Sequence, residues 1–593
     1  MAARPRAQTP GEARPGPASR RARPATTSGR AAAAAAEVEA ARPPRTSFPG
    51  LMAALGAERR ARAVPVVHGK VPPGLRGGYF LRNGPDFRHE PLFPDDTHWF
   101  DGDGLVHFVG LGGEAEAEYG CNYVETQVSA CGRRAAGGGG GLTLKNQGFL
   151  EEKAAGEAKY CGLRQSPVLP LVLWGFYSKF RNLLLRGSPD RPYWVIQQKN
   201  TANNGLVRTP AGRLLATYEA GSPYEIELVR EGGATRLATA GVWRPAPGAG
   251  GAAYDYLLNN FTAHSKTCPE TGDNIFLSYD LIGKRFAVGV MGAGDALRSM
   301  DTFTYPGTGE ASMMHDFAIT ETKIVILAHP LLFNLEQSMR GGLPFTYDLS
   351  APSYFGVIDR APGKGGEIQW IQAENCYCYH TVTAHDDPTD GAVVHLYAQR
   401  LDATGALGMA TFRRDGEYDD AFEVREVARL HKWRLRTGEG AGVLESRNVC
   451  ERFSDFPEIN PEYEGRPTRF AYSLQMSDRY DADGCVPLFE TLLKHDLLAG
   501  SHETFSREGK VFDDLTFVPD AARPGVEDGG WLLFFSHALT GDRSWLEILD
   551  AADIAAGPVC SVELPNVPIG FHATWVDAAL VADADAAPVR AGL

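Results

Sequence analysis

Glu270-Thr-Gly-Asp-Asn-Ile-Phe-Leu-Ser-Tyr-Asp-Leu281 sets the pattern on which the fold is read. Gly272 sits in a polar four-residue turn, where a positive φ is easiest for glycine. The residues that follow, Asn274–Leu281, are mostly apolar or aromatic, as a short buried strand requires. The same pairing of a turn with a short run recurs along the chain from about residue 65. Strands are expected at 193–197, 213–219, 274–281, 323–328, 354–359, 393–399, 469–475, 531–537 and 544–549. Turns are read at Arg82-Asn-Gly-Pro85 and Asp101-Gly-Asp-Gly104, and flexible inserts at 137–141 and 245–253. Helical periodicity is scarce. A long all-β chain must dispose of its sheet edges, and radial closure into a β-propeller does so.

Composition agrees with a globular protein and narrows its partners. The 593 residues are 43% hydrophobic and 22% charged, which excludes disorder throughout. The formal net charge of −14 argues against a nucleic-acid partner, whose phosphates require a basic face. Residues 1–45 read differently from the rest. They have no apolar periodicity, and residues 1–36 hold seven Arg against the single acid Glu12. This is the composition of an organelle transit peptide, here of a plastid, and also of a disordered tail. The expected organisation is therefore a leader, 1–45, followed by one propeller domain, 46–593; without import the location would be cytoplasmic.

The nine cysteines include no C-x-x-C, and Cys376 and Cys378 are the only close pair. Neither a disulfide framework nor a zinc site is expected from that spacing, which fits a reducing compartment. No apolar run reaches the length of a membrane-spanning helix. Val168–Leu185 is apolar, with Trp174 and Tyr177 followed by Lys179, Arg181 and Arg186. It reads equally as a peripheral membrane contact and as a helix buried on one face of the propeller.

Four of the fifteen histidines stand beside strand patterns with an aromatic or large apolar neighbour: His264, His315, His380 and His572. Each alone reads as a hydrogen-bonded core histidine, and no H-E-x-x-H or other local ligand motif joins them. The ordered motifs around them carry more. They run Gly78-Tyr-Phe-Leu-Arg-Asn-Gly-Pro85, Trp99-Phe-Asp-Gly-Asp-Gly104, Asn200-Thr-Ala-Asn203 and Ala263-His-Ser-Lys266. His315-Asp-Phe-Ala-Ile-Thr320, Phe355-Gly-Val-Ile358, Phe517-Val-Pro519 and Val567-Pro-Ile-Gly-Phe-His572 complete the set. In this order they resemble the carotenoid cleavage oxygenases across about residues 64–580.

The resemblance implies a seven-bladed β-propeller with a few helices and long loops capping one face. It implies one Fe(II) per chain, held on the axis by His264, His315, His380 and His572. The reaction it implies adds both atoms of O2, the co-substrate, across a conjugated C=C bond of a carotenoid or apocarotenoid, giving two carbonyl products. The alkene supplies the electrons, which fits the lack of any dinucleotide-binding glycine motif. Neutral imidazoles suit Fe(II) and leave positions open. Three carboxylates are implied behind the ligands, at Glu219, Asp455 and Asp514. At the last two the family carries Glu, so the shorter Asp requires a closer backbone or a bridging water.

The largest departure follows the third histidine, where His380-Thr-Val-Thr-Ala-His-Asp-Asp387 has Thr383 and His385 in place of the family's Asn and aromatic residue. His385 lies five residues from His380, on the opposite face of a regular strand, so Tyr379 favours His380 as the ligand. Two other readings remain beside the carotenoid one. One is a stilbene-type alkene-cleaving oxygenase of the same fold; the other is a catalytically weak polyene-binding propeller, motivated by these departures. The 29 Phe, 21 Tyr and 9 Trp are enough to line both a core and an apolar tunnel.

Overall fold

Lys323–Ala328, a run of Ile, Val and Leu, is buried at every position because it lies between two strands, Phe317–Ile319 and Ser353–Asp359, and between two neighbouring sheets. That arrangement repeats around the molecule. The computed structural model describes residues 54–88, 102–126, 200–219, 221–246, 260–281, 283–306, 309–334, 345–360, 367–402, 428–480 and 487–583. It also describes Leu51 and the strands Thr143–Lys145, Gly148–Glu152 and Ala158–Tyr160. The leader, the strand expected at 193–197, the insert at 137–141 and the segment Val168–Leu185 lie outside the described residues.

Among the described residues seven blades, antiparallel apart from the parallel pairing of Ala582–Asp583 with Gly221–Glu231, succeed one another along the chain. Blade 1 runs, from the centre outward, Ala573–Val576, Tyr79–Arg82, Asp103–Leu111, Glu116–Tyr123 and the first half of Arg59–Gly69. Blade 2 is Leu206–Arg208, Leu214–Tyr218, Gly221–Glu231 and Ala234–Val242. Blade 3 is Lys266–Thr267, Asn274–Asp280, Arg285–Gly292 and Ala296–Phe303. Blade 4 is Phe317–Ile319, Lys323–Ala328, Ser353–Asp359 and Gln369–Ala373. Blade 5 is Cys376–Asp386, Val393–Asp402, Ala428–Arg436 and Gly442–Glu458. Residues 454–458 of that last strand leave it to open blade 6, with Phe470–Tyr480, Pro487–Asp496 and Ser501–Ser506. Blade 7 is Lys510–Pro519, Gly530–Ala538, Arg543–Asp550 and Pro558–Pro565.

The ring closes through the ends of the chain. Arg59–Gly69 pairs with blade 1 through its first half and with Pro558–Pro565 of blade 7 through its second. An apolar cluster fills the space between each neighbouring pair of blades. Phe80, Phe535 and Val562 join blades 7 and 1, Tyr79, Leu214 and Tyr224 blades 1 and 2, and Val207, Phe261 and Phe276 blades 2 and 3. Ile275, Phe317 and Ile326 join blades 3 and 4, and Val325, Phe355 and Trp433 blades 4 and 5. Val382 with Ala471, and Leu474 with Phe534, complete the circle through blades 5, 6 and 7. Sheets buried on both faces read as continuous apolar runs rather than clean alternation, which is why the middle strands stood out in the sequence. The fold is the expected all-β propeller. Among the described residues no helix is long and apolar enough to cross a membrane.

Candidate metal centre

The inner edges of the blades bring four histidines together. His264 stands two residues before Lys266–Thr267 of blade 3, and His315 two before Phe317–Ile319 of blade 4. His380 lies within Cys376–Asp386 of blade 5, and His572 immediately precedes Ala573–Val576 of blade 1. One ligand-capable nitrogen from each of the four falls within 4.8 Å of all the others. His264 meets the other three at ring-centroid distances of 4.5, 4.8 and 4.3 Å, steeply tilted in each case.

The three blades that supply no histidine each supply a carboxylate. Glu219 ends the second strand of blade 2, and its Oε1 lies 3.1 Å from His315 Nδ1. Asp455, on the inner edge of blade 6, accepts from His380 Nδ1 at 2.8 Å. Asp514, on the inner strand of blade 7, faces His572 Nδ1 at 3.3 Å. The two aspartates therefore reach their histidines directly; the backbone has come close enough to replace the missing methylene. Each carboxylate is itself held. Tyr279 Oη donates to Glu219 Oε2 at 2.7 Å and Asn204 Nδ2 to its Oε1 at 3.0 Å. Phe456 N–H donates to Asp455 at 2.8 Å, and Ala573 N–H to Asp514 at 3.0 Å.

Where Nδ1 is hydrogen-bonded to a carboxylate, as in His380 and His572, Nε2 is left as the nitrogen with the free lone pair. His315 Nε2 then stands 2.9 Å from His264 Nε2. His380 Nε2 is buried with no hydrogen-bond partner among the described residues. An orphaned buried nitrogen is costly alone, and a cation held among the four imidazoles resolves it. The donor set fits a borderline divalent metal such as Fe(II). Burial, then the neighbouring imidazoles, holds His264 well below the usual histidine pKa, and burial also lowers His572 despite Asp514. Burial works in the same direction on His380, but the carboxylates of Asp455, Asp316 and Asp514 outweigh it and raise that group.

His385 is not part of this cluster. It stacks on His395 at 4.7 Å across blade 5, although the strand carrying both His380 and His385 is irregular between Cys378 and Thr383. Thr383 is buried, with its hydroxyl 3.5 Å from that of Thr468. Sequence reasoning gave Phe456 no role and read Asp316 only as a cap on local backbone. Phe456 packs on His380 and His572 at 5.4 and 5.8 Å, with a positive φ of 52° that is uncommon for a bulky non-glycine residue. Asp316 does more than cap the N–H of Phe317: it also accepts from Thr381 N and Oγ1 at 2.7 and 2.8 Å and pairs with Lys266 at 3.2 Å. No local pattern announces either role.

A family model described as retinal pigment epithelial membrane protein, RPE65, matches residues 52–577. The carotenoid 9,10(9',10')-cleavage dioxygenase of Crocus sativus is 27% identical over 86% of this chain and 85% of its own length. The apocarotenoid-15,15'-oxygenase of Synechocystis is 26% identical over 86% and 92%. Among solved structures, a variant of the Synechocystis apocarotenoid oxygenase superposes with a TM-score of 0.68 at 22% identity, covering 89% of this chain and 98% of that one. The lignostilbene dioxygenase of Pseudomonas brassicacearum does so at 0.67 and 21%, covering 91% and 100%; at such identities both attest to the fold alone. Motif order, blade architecture and a family match across most of the chain agree: the chain belongs to the RPE65 family, that of the carotenoid cleavage oxygenases.

Proposed function

We propose that the chain is a non-haem Fe(II) dioxygenase that cleaves a conjugated C=C bond of a carotenoid or apocarotenoid, consuming one O2 and forming two carbonyl products. The observation that carries this reading is the convergence of four imidazole nitrogens with a carboxylate behind three of them. His264, His315, His380 and His572 would hold the iron, which when bound supplies a place for O2 to bind and become reactive towards an electron-rich alkene. Glu219, Asp455 and Asp514 fix the tautomer and orientation of their histidines, and make each Nε2 a better donor. Neutral ligands preserve the charge of the ion, and the lowered pKa of His264 and His572 favours that form. Phe456 and Tyr379 flank the cluster with aromatic surface and exclude water from one side of it.

The names of the relatives favour the carotenoid reading over the stilbene one. The test is to express the chain under reducing conditions, reconstitute it with ferrous ion, and measure bound iron and turnover of β-carotene, an apocarotenal and resveratrol by absorbance. About one iron per chain, reduced in His380→Ala, with loss of polyene absorbance under O2, is the expected result. Wild-type protein that binds no iron would overturn the proposal; iron with turnover of resveratrol alone would replace the substrate class.

A further inference from the structure

A second group of metal-ligating side chains lies at the interface of blades 4 and 5. His329, just past Lys323–Ala328, meets Cys376 and Cys378 of the blade 5 inner strand, with one ligand atom from each within 4.8 Å of the other two. All three are buried, at 1, 1 and 3% exposure for His329, Cys376 and Cys378. Cys376 Sγ lies 3.8 Å from His329 Nδ1, and both approach Ser353 Oγ, at 3.6 and 3.0 Å. The two cysteines share a face because they are two residues apart on a strand, and the surroundings, Leu331, Phe355 and Tyr377, are buried.

We propose that His329, Cys376 and Cys378 form a three-ligand binding site for a thiophilic divalent cation of the Zn2+ type, separate from the four-histidine centre. Two thiolates and one imidazole are a recognised zinc donor set. Binding one divalent cation expels the two thiol protons, so the loaded group carries no net charge, and an apolar interface accommodates a neutral group where it would not accommodate two thiolates. The site would staple blade 4 to the strand that carries His380 two residues further on. Its buried position implies that the ion enters as the chain folds.

Cobalt distinguishes the two centres, because thiolate ligands give an intense charge-transfer absorption that imidazoles do not. Full-length protein refolded with Co2+ under reducing conditions should bind about two ions per chain and show that absorption. Cys376→Ser and Cys378→Ser should each bind about one and lose it, while His264→Ala keeps it. Should the cysteine variants fail to fold, the wild-type protein still decides. Excess Zn2+ should bleach the thiolate absorption, and a mercurial, which titrates thiols but not imidazoles, should then release about one Zn2+ per chain. Wild-type protein that binds Co2+ without thiolate absorption would overturn the proposal. So would a metal-free chain in which peptide mapping finds Cys376 and Cys378 joined in a disulfide.

Discussion

Asp455 shows what one side chain does at the centre. It sits on a different blade from His380 and reaches it at 2.8 Å, with its carboxylate steadied by the N–H of Phe456. Replacing it with Ala removes the acceptor that orients His380 and is expected to weaken Fe(II) binding by about 10–100-fold, with a milder loss for Asn. Anaerobic ferrous titration measures it, and unchanged affinity in the Ala variant would remove Asp455 from the site. His495 illustrates a different residue-scale effect. It is buried on Ser473 Oγ at 2.8 Å, and burial, then His502, pushes its pKa down to about 3. The unfolded chain binds this proton below about pH 6.5 and the folded chain does not, so the contribution of His495 to stability is full above that pH and falls as the pH drops. Between pH 8 and pH 5 the loss is about 2 kcal/mol. In His495→Gln that part of the acid sensitivity should vanish, so the stability gap between variant and wild type narrows by about that amount at pH 5. A gap independent of pH, read from unfolding curves, would contradict it.

At the scale of elements, two of the inner strands stand apart. Lys266–Thr267 and Phe317–Ile319 are two and three residues long, too short to show a strand pattern. The middle strands, by contrast, were legible almost residue for residue: 323–328 was expected and Lys323–Ala328 is observed, 274–281 became Asn274–Asp280, and 531–537 became Gly530–Ala538. Apolar runs report burial, and the middle of a blade is where burial on two faces occurs. The inner strands are instead aligned by polar ties such as Asp316, which joins blade 4 to Thr381 of blade 5. Thr381→Val keeps the volume but removes the hydroxyl that Asp316 accepts from. It should destabilise the fold by about 1–3 kcal/mol, seen as a lower thermal midpoint. A midpoint equal to that of wild type would show the tie to be dispensable.

For the whole molecule, the decisive contact is the one that closes the ring. Arg82 of blade 1 lies 3.1 Å from Asp513 of blade 7, with both side chains about 2–3% exposed, and its guanidinium also reaches Pro568 O. A Cβ on Gly570 would overlap that guanidinium, so glycine is required there by close approach. Arg82-Asn-Gly-Pro85, read in the sequence as a turn, thus begins with a buried cation at the seam. Arg82→Met strands the Asp513 carboxylate and should cost about 3–5 kcal/mol. Adding Asp513→Leu should recover part of that, and a double-mutant cycle measures the coupling. Additive effects of the two substitutions would mean that the pair does not hold the seam.

What the amino-acid order determined by itself was local. Alternating turns and apolar runs specified strands, their number and the scarcity of helix specified an all-β ring, and the ordered motifs pointed to four histidines and three carboxylates. Only the tertiary structure decided which atoms meet. The four histidines are separated along the chain by 51, 65 and 192 residues, and a ring of seven sheets is what returns each of them to one axis. Likewise, no spacing rule could tell that Asp455 and Asp514 reach their histidines without the extra methylene, since that depends on how far each blade advances towards the axis. Nor could it place His329 against Cys376 and Cys378, a pair whose spacing alone spoke against a metal. Sequence patterns record which faces are buried; contacts between distant positions are fixed by the packing of blade on blade, and that packing is a property of the closed ring.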